Sequence, residues 1–307
     1  MSLAINIATP EGIVLAADSR QSYRNQKGAV RIGSDYATKL FIINSRIGVA
    51  VTGLAFLTEN GVLKNISKFI EQFKREEDVG KMSVKKVADK LHFLFNRKYN
   101  WQESLDKMPA QLTENLTRQG FEIIDMIKEK YVVKFKIKDK AGKTRDGIGN
   151  IDGLVLFVAG YNEDSSHEVY NVYIPGEVVK RRDSNQRGME YGANWIGQSD
   201  VVSRIIKGSD PRIFNVPFVT EEIKKSGREE IEKQLNGLEY TIAWGAMPLQ
   251  DAIDFSILAI QTSAAIQRFS DGIQADPGDF LGVGGPIDVL ALTPDGPKWI
   301  KRKELSA

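Results

Sequence analysis

Along this chain apolar residues recur with period two, then with period 3.6, then with each again, and that order constrains the fold more than any other feature. Leu3, Ile5 and Ile7 alternate, Thr9-Pro10-Glu11-Gly12 reads as a turn, and the apolar run Ile13 to Ala17 reads as a buried strand. A second pair of strands, Lys39 to Ile43 and Ile47 to Thr52, flanks the polar turn Asn44-Ser45-Arg46, so the first four strands predict an antiparallel sheet. Helical spacing takes over at Leu63, Ile66, Ile70 and Phe73, and again at Val84, Val87, Leu91 and Leu94. From Trp101 to Asn150 the pattern is less regular: a weak helix near Phe121 to Lys130, then a strand alternating at Tyr131, Val133, Phe135 and Ile137. The Lys-rich stretch Lys134 to Arg145 reads as a solvated hairpin turning at Ala141-Gly142. Strands return at Leu154 to Ala159 and Glu168 to Ile174, and the Pro175-Gly176 turn leads into Val178 to Lys180. Helices are predicted around Val201 to Lys207, Glu221 to Leu235 and Leu249 to Arg268. The last starts behind Pro248, is apolar on most faces and is expected to be mostly buried. The chain closes on a hairpin, Ile287 to Leu292 and Lys298 to Ile300, about Pro294-Asp295-Gly296.

Strands, helices, strands, helices, strands is an α+β order. It favours antiparallel sheets with segregated helix layers over a parallel sheet with alternating crossovers. At 307 residues the length alone allows one large domain or two small ones. No Pro- or Ser-rich linker divides the chain and no short repeat runs through it, so a single domain over residues 1–307 is expected, with an enlarged middle region at about 100–150. With 42% hydrophobic and 27% charged residues there is material for a sizeable core and a solvated surface.

The same composition excludes several classes of function. A formal net charge of +2 creates no global field to draw in nucleic acid or an anionic membrane. The absence of cysteine removes disulfides, thiolate metal sites and a cysteine nucleophile, and no metal or cofactor is expected. The densest apolar run, Leu154 to Ala159, is far short of the ~20 residues that span a bilayer. A soluble, cytoplasmic protein is expected. His92 and His167 are the only histidines, and nothing near either marks it for a proton relay; both read as surface or packed imidazoles.

The run Gly12-Ile-Val-Leu-Ala-Ala-Asp18-Ser19-Arg20 is an apolar strand that ends in small residues, then a carboxylate and a guanidinium. Ala16 and Ala17 leave room for a group to approach the carboxylate. Alternation along the strand points Asp18 and Arg20 the same way, so they could share a partner; on these residues alone a solvated ion pair at a strand end is the favoured reading.

This run is similar to the Gly-Val-Val-Leu-Ala-Ala-Asp-Ser-Arg signature of proteasome beta-type subunits, members of the N-terminal-nucleophile hydrolase superfamily, and Thr38-Lys39-Leu40-Phe41 and Thr52-Gly53-Leu54-Ala55 follow it in the family's order. The resemblance continues in Leu156-Phe157-Val158-Ala159-Gly160-Tyr161, the Pro175-Gly176 turn, the small residues of Gly192 to Ser199, and Gly284-Gly285. It implies a four-layer αββα sandwich, two antiparallel sheets between helix layers. It implies too that the family's catalytic Thr falls at Ser2, which becomes N-terminal if Met1 is clipped, as expected before so small a side chain. An α-amine with an ordinary pKa of ~7.7–8.0 could then take the hydroxyl proton without a histidine. By the same resemblance Lys39 is the active-site lysine, Asp18 pairs with it, Arg20 orders the loop after the strand, Gly53 supplies an N–H to the oxyanion, and Ser199 loosely matches a third hydroxyl.

The implied activity is a peptidase acting on peptide or unfolded-protein substrates, assembled as a homo-oligomeric ring, with an ATP-dependent unfoldase as a candidate partner. A noncatalytic scaffold subunit of the same fold and a stand-alone amidohydrolase of a small amide are the competing readings. The chain departs from the family pattern in a longer loop from Gln21 to Tyr36, in the middle insertion, and before the late glycine pair, where Val283 precedes Gly284 and Asp279 is out of register.

Overall fold

The computed structural model describes residues 2–24, 30–270 and 281–304. The first hairpin is β1 (Leu3–Thr9) and β2 (Gly12–Ala17), followed by the short pair β3 (Gln21–Arg24) and β4 (Val30–Ser34). Next come β5 (Leu40–Ile42), β6 (Ile47–Gly53) and the small ribbon β7 (Phe56–Glu59) and β8 (Val62–Asn65), then the helices α1 (Ile66–Glu76), α2 (Val84–Lys98) and α3 (Trp101–Arg118). A meander of β9 (Glu122–Lys128), β10 (Val132–Lys138) and β11 (Thr144–Asn150) precedes β12 (Leu154–Tyr161), β13 (His167–Ile174), β14 (Val178–Asp183) and β15 (Gly192–Gly197). The helices α4 (Asp200–Lys207), α5 (Pro217–Ser226), α6 (Arg228–Leu235) and α7 (Leu249–Phe269) lead to the closing hairpin, β16 (Asp288–Thr293) and β17 (Gly296–Lys301).

Two five-stranded antiparallel sheets form the centre, one in the order β15-β1-β2-β16-β17 and the other β14-β13-β12-β6-β5. Strand β1 is buried at every position because both its faces are covered. Leu3, Ile5 and Ile7 pack with α4 and α7 residues such as Val202, Ile253 and Ile260, while Ala4 and Ala8 face the second sheet with Leu15, Phe157 and Leu290. Small residues on one sheet receive large ones from the other, so the two close to core density. The far face of the second sheet carries Val49, Leu156, Val158 and Val172 against Phe69, Leu91 and Phe95 of α1 and α2. Asn65 and Ser83 cap the starts of those two helices, accepting from Ser67 N–H and Lys86 N–H. The result is an α+β four-layer αββα sandwich, with the antiparallel sheets and segregated helix layers that the order of elements predicts.

Several local expectations need correction. The four opening strands do not make one sheet: β1 and β2 lie in the first sheet, β5 and β6 in the second. Their hairpins are local, but sheet membership follows from the distant partners β15, β16 and β12. The weak helix at Phe121 to Lys130 is strand β9, paired with β10, and the helix of this region is α3. The segment from Glu221 to Leu235 is two helices, broken at Gly227. Helix α7 is not mostly buried, since Leu258, Ile266 and Phe269 form an outward-facing stripe. Strand β15, read only as a small-residue stretch, pairs with β1 along its length.

Phe157 is fully buried between the sheets. Phe157→Ala is expected to lower unfolding free energy by about 3–5 kcal/mol in a urea titration; a loss under ~1 kcal/mol would show that the sheets do not depend on this contact.

Candidate active site

At one end of the sandwich Ser2, Arg20, Lys39, Thr52 and Gly53 line a single cleft. Each arrives from a different place in the chain. Ser2 stands directly before β1, Lys39 directly before β5, and Thr52 and Gly53 end β6. Asp18, the residue after β2, is wholly buried beneath them.

Four donors converge on the Asp18 carboxylate. Its Oδ1 accepts from the Leu3 N–H at 2.9 Å and from the Lys39 ammonium at 2.7 Å. Its Oδ2 accepts from the Arg20 N–H at 3.1 Å and the Gly284 N–H at 3.0 Å. Burial pushes the Lys39 pKa below the usual lysine value, and the Asp18 charge and hydrogen bond oppose that shift. Because Lys39 belongs to the second sheet and Asp18 to the first, the ion pair bridges the two layers. Arg20 does not share the Lys39 partner: its side chain binds Asp35 at 2.7 and 3.2 Å, fastening the chain after β2 to the segment before β5.

Ser2 is held through its main chain. The Gln198 N–H donates to the Ser2 carbonyl at 2.7 Å, and Leu3, the next residue, donates its N–H to the Asp18 carboxylate and accepts from the Asp18 N–H at its carbonyl. Gly197 lies against the Ser2 carbonyl: a Cβ there would come within 2.0 Å of that oxygen, and its φ of +90° is one that glycine adopts freely. Gly53 has the same character, with φ +92° and a Cβ that would meet the Gly153 carbonyl at 2.0 Å. At both positions only glycine lets the strands approach so closely.

Sequence reasoning did not single out Gln198, Gly197 or Gly284 as parts of the site. The glycines were visible, but not that one abuts Ser2 and another donates to Asp18. Gln198 contributes a main-chain N–H, which no side-chain motif can report. Ser199 stands at the start of α4, with its carbonyl accepting from the Ser203 N–H, and is not among the cleft-lining residues. Asp279 lies outside the described residues. Both histidines are packed elsewhere, His92 Nε2 donating to the Gly176 carbonyl at 2.9 Å and His167 Nε2 to the Glu190 carbonyl at 2.8 Å. Among the described residues no cluster of His, Asp and Glu is arranged to hold a metal ion, and no helix is long and apolar enough to cross a membrane.

Fold and site together make a four-layer sandwich with a buried, ion-paired lysine lining the same cleft as Ser2. No family model and no curated protein matches the chain. Among solved structures it is similar to Anbu (ancestral beta-subunit) from Yersinia bercovieri, at 12% identity over 98% of this chain and 88% of that one, with a TM-score of 0.48. It is also similar to the chain in the helical assembly of the Anbu complex from Pseudomonas aeruginosa, at 12% identity over 99% and 88%, with a TM-score of 0.47. These neighbours are Anbu proteins, not proteasome beta-type N-terminal-nucleophile hydrolases, which corrects the family expected from the opening motifs. Those motifs encode a buried strand whose terminal carboxylate clamps a lysine, a local geometry that does not choose among families sharing the sandwich.

Asp18→Ala would leave Lys39 as a buried cation without its counter-charge and three N–H groups without their acceptor. The expected loss of stability is about 3–5 kcal/mol by denaturant unfolding; a variant as stable as the parent would mean that the pair does not tie the layers together.

Proposed function

We propose that the chain is an amide-bond hydrolase whose nucleophile is the Ser2 hydroxyl, exposed as the N-terminal residue by removal of Met1. The observation that supports this most is the convergence of Ser2, Lys39 and Gly53 on one cleft, with Lys39 held in place by burial and by Asp18.

In this reading the free α-amine of Ser2 accepts the hydroxyl proton as Oγ attacks the substrate carbonyl carbon. The Lys39 charge disfavours a protonated amine nearby and stabilises the developing alkoxide. The carbonyl oxygen, now negative, needs a donor. The Val51 N–H bonds β5 at the Lys39 carbonyl, and alternation along β6 directs the Gly53 N–H to that same side, where it would serve as the oxyanion donor. Collapse of the tetrahedral adduct passes the amine's extra proton to the leaving nitrogen and leaves an ester on Ser2. Water, deprotonated by the same amine, then attacks that ester, and the amine returns the proton to Ser2 Oγ as the acid leaves. Arg20 and Asp18 act as positioning residues. Ser199 is assigned no step.

Peptides or unfolded segments are the proposed substrates, and a homo-oligomer the proposed working form. Support for assembly comes from the exposed stripe Leu258, Ile266 and Phe269 on α7, a face more apolar than a solvated helix requires.

Intact mass should show loss of Met1. Ser2→Ala should then cut turnover of a peptide amide by ~10³ or more without moving the unfolding midpoint. A fully active protein that retains Met1 would rule out the amine as base. For assembly, sedimentation should show a species larger than the 34.2 kDa chain, shifted toward that mass by Leu258→Glu combined with Phe269→Glu. A parent protein sedimenting only as a single chain at micromolar concentration would refute the oligomer.

A further inference from the structure

A second cavity, of about 380 Å³, opens where the edge strands of the two sheets, β14 and β15, approach each other. It shares no lining residue with the Ser2 cleft. Its character is cationic. Arg181 and Arg182 of β14 line it together with Lys207 at the end of α4. Among the described residues, none of these three has a carboxylate within ion-pair distance; Glu239, the one carboxylate in the lining, is exposed.

The guanidiniums are held in place by neutral groups. Arg182 donates to the carbonyls of Arg181 at 2.6 Å and Ala193 at 3.2 Å, and Arg181 donates to the Tyr173 hydroxyl at 3.1 Å. Gly192 makes room for this arrangement, since a Cβ there would lie 2.3 Å from a terminal nitrogen of Arg182. The remaining hydrogen-bonding capacity is mostly donor: Nε of Arg181, Nε of Arg182 and Nδ2 of Asn194 are buried and meet no acceptor among the described protein atoms, against one such acceptor in the lining, Asn171 Oδ1. Burial pushes the Arg182 pKa down and the adjacent Arg181 charge adds to that, the electrostatic mark of two guanidiniums placed side by side with no counter-charge.

We propose that this cavity binds a small oxyanion of the phosphate class, gripped by Arg181, Arg182 and Asn194 with Lys207 beside them. A tetrahedral anion offers several acceptors to converging guanidinium donors. Half-buried guanidiniums without a counter-charge are otherwise unfavourable, so a negative ligand stabilises the fold as it binds. Trp195 and Trp244 are in the lining, which gives the site its own reporter.

The test is a titration of the full-length protein with inorganic phosphate, followed by tryptophan emission and thermal midpoint, against sodium chloride at matched ionic strength. Phosphate should produce a saturable change in both signals that chloride does not. Arg182→Met should weaken the apparent affinity by at least about tenfold, the equivalent of one charge-assisted contact. Lys207→Met, at an exposed position tolerant of change, should weaken it measurably and serves if the arginine variant does not fold. Sulfate binding equally well would still support the site. A response no different from chloride, or one unaltered in Lys207→Met and in any folded Arg182→Met protein, would overturn it.

Discussion

The structure depends on one buried ion pair, Asp18 with Lys39, 2.7 Å apart across the interface of the two sheets. Two charges removed from water need good geometry and additional hydrogen bonds to offset their lost hydration. Asp18 meets that condition with three main-chain donors in addition to the ammonium. Those donors come from the start of β1, the residues just past β2, and the segment before β16. The carboxylate is thus a junction at which four stretches of chain meet. Satisfying it fixes where the N-terminal strand begins, and so where Ser2 lies relative to Lys39.

Close backbone approach is the second constraint. Gly197 and Gly53 stand where one strand presses against another main chain, and in each case a methyl group would overlap a carbonyl oxygen. The Ser2 carbonyl is thereby enclosed by Gly197 and bonded by the Gln198 N–H. A residue just ahead of a first strand, as Ser2 is, would ordinarily be frayed. Here the order comes from pairing with β15 and from Asp18, two features separated from Ser2 by very different lengths of chain.

The space between the two sheets changes character from its centre to its edge. Between the sheet centres the contacts are Ala against Leu and Phe, apolar throughout. Toward the β14 and β15 edges they become polar, with Asn171, Arg182 and Asn194 replacing aliphatic residues. The same pleat places both sets, so strand register alone decides which residues meet a hydrocarbon neighbour and which meet a guanidinium. On the outer layer, α7 buries Ile253 and Ile260 while presenting Leu258 and Phe269 outward, a helix apolar on more faces than the sheet beneath it can cover.

Local pattern determined much of this protein directly. The period of the apolar residues identified the hairpins β1–β2, β5–β6 and β16–β17 and the helices α1, α2, α4 and α7, because side-chain spacing along one element is a local property. The composition of the β2 end made Asp18 and Arg20 stand out, while Ser2 and Lys39 came into view only through the resemblance of the opening motifs to proteasome beta-type subunits. Tertiary structure alone decided which hairpin joined which sheet, since β15 and β12 reach β1 and β6 from more than a hundred residues away. It alone turned the segment after Phe121 into a strand, through pairing with β10 that outweighs a weak helical spacing. It gave Arg20 its own partner in Asp35, made the Gln198 main chain part of the site, and left Ser199 outside the cleft. These are matters of distance between chain segments, and a main-chain N–H or a glycine's clearance has no signature in residue order until the segment opposite it is in place.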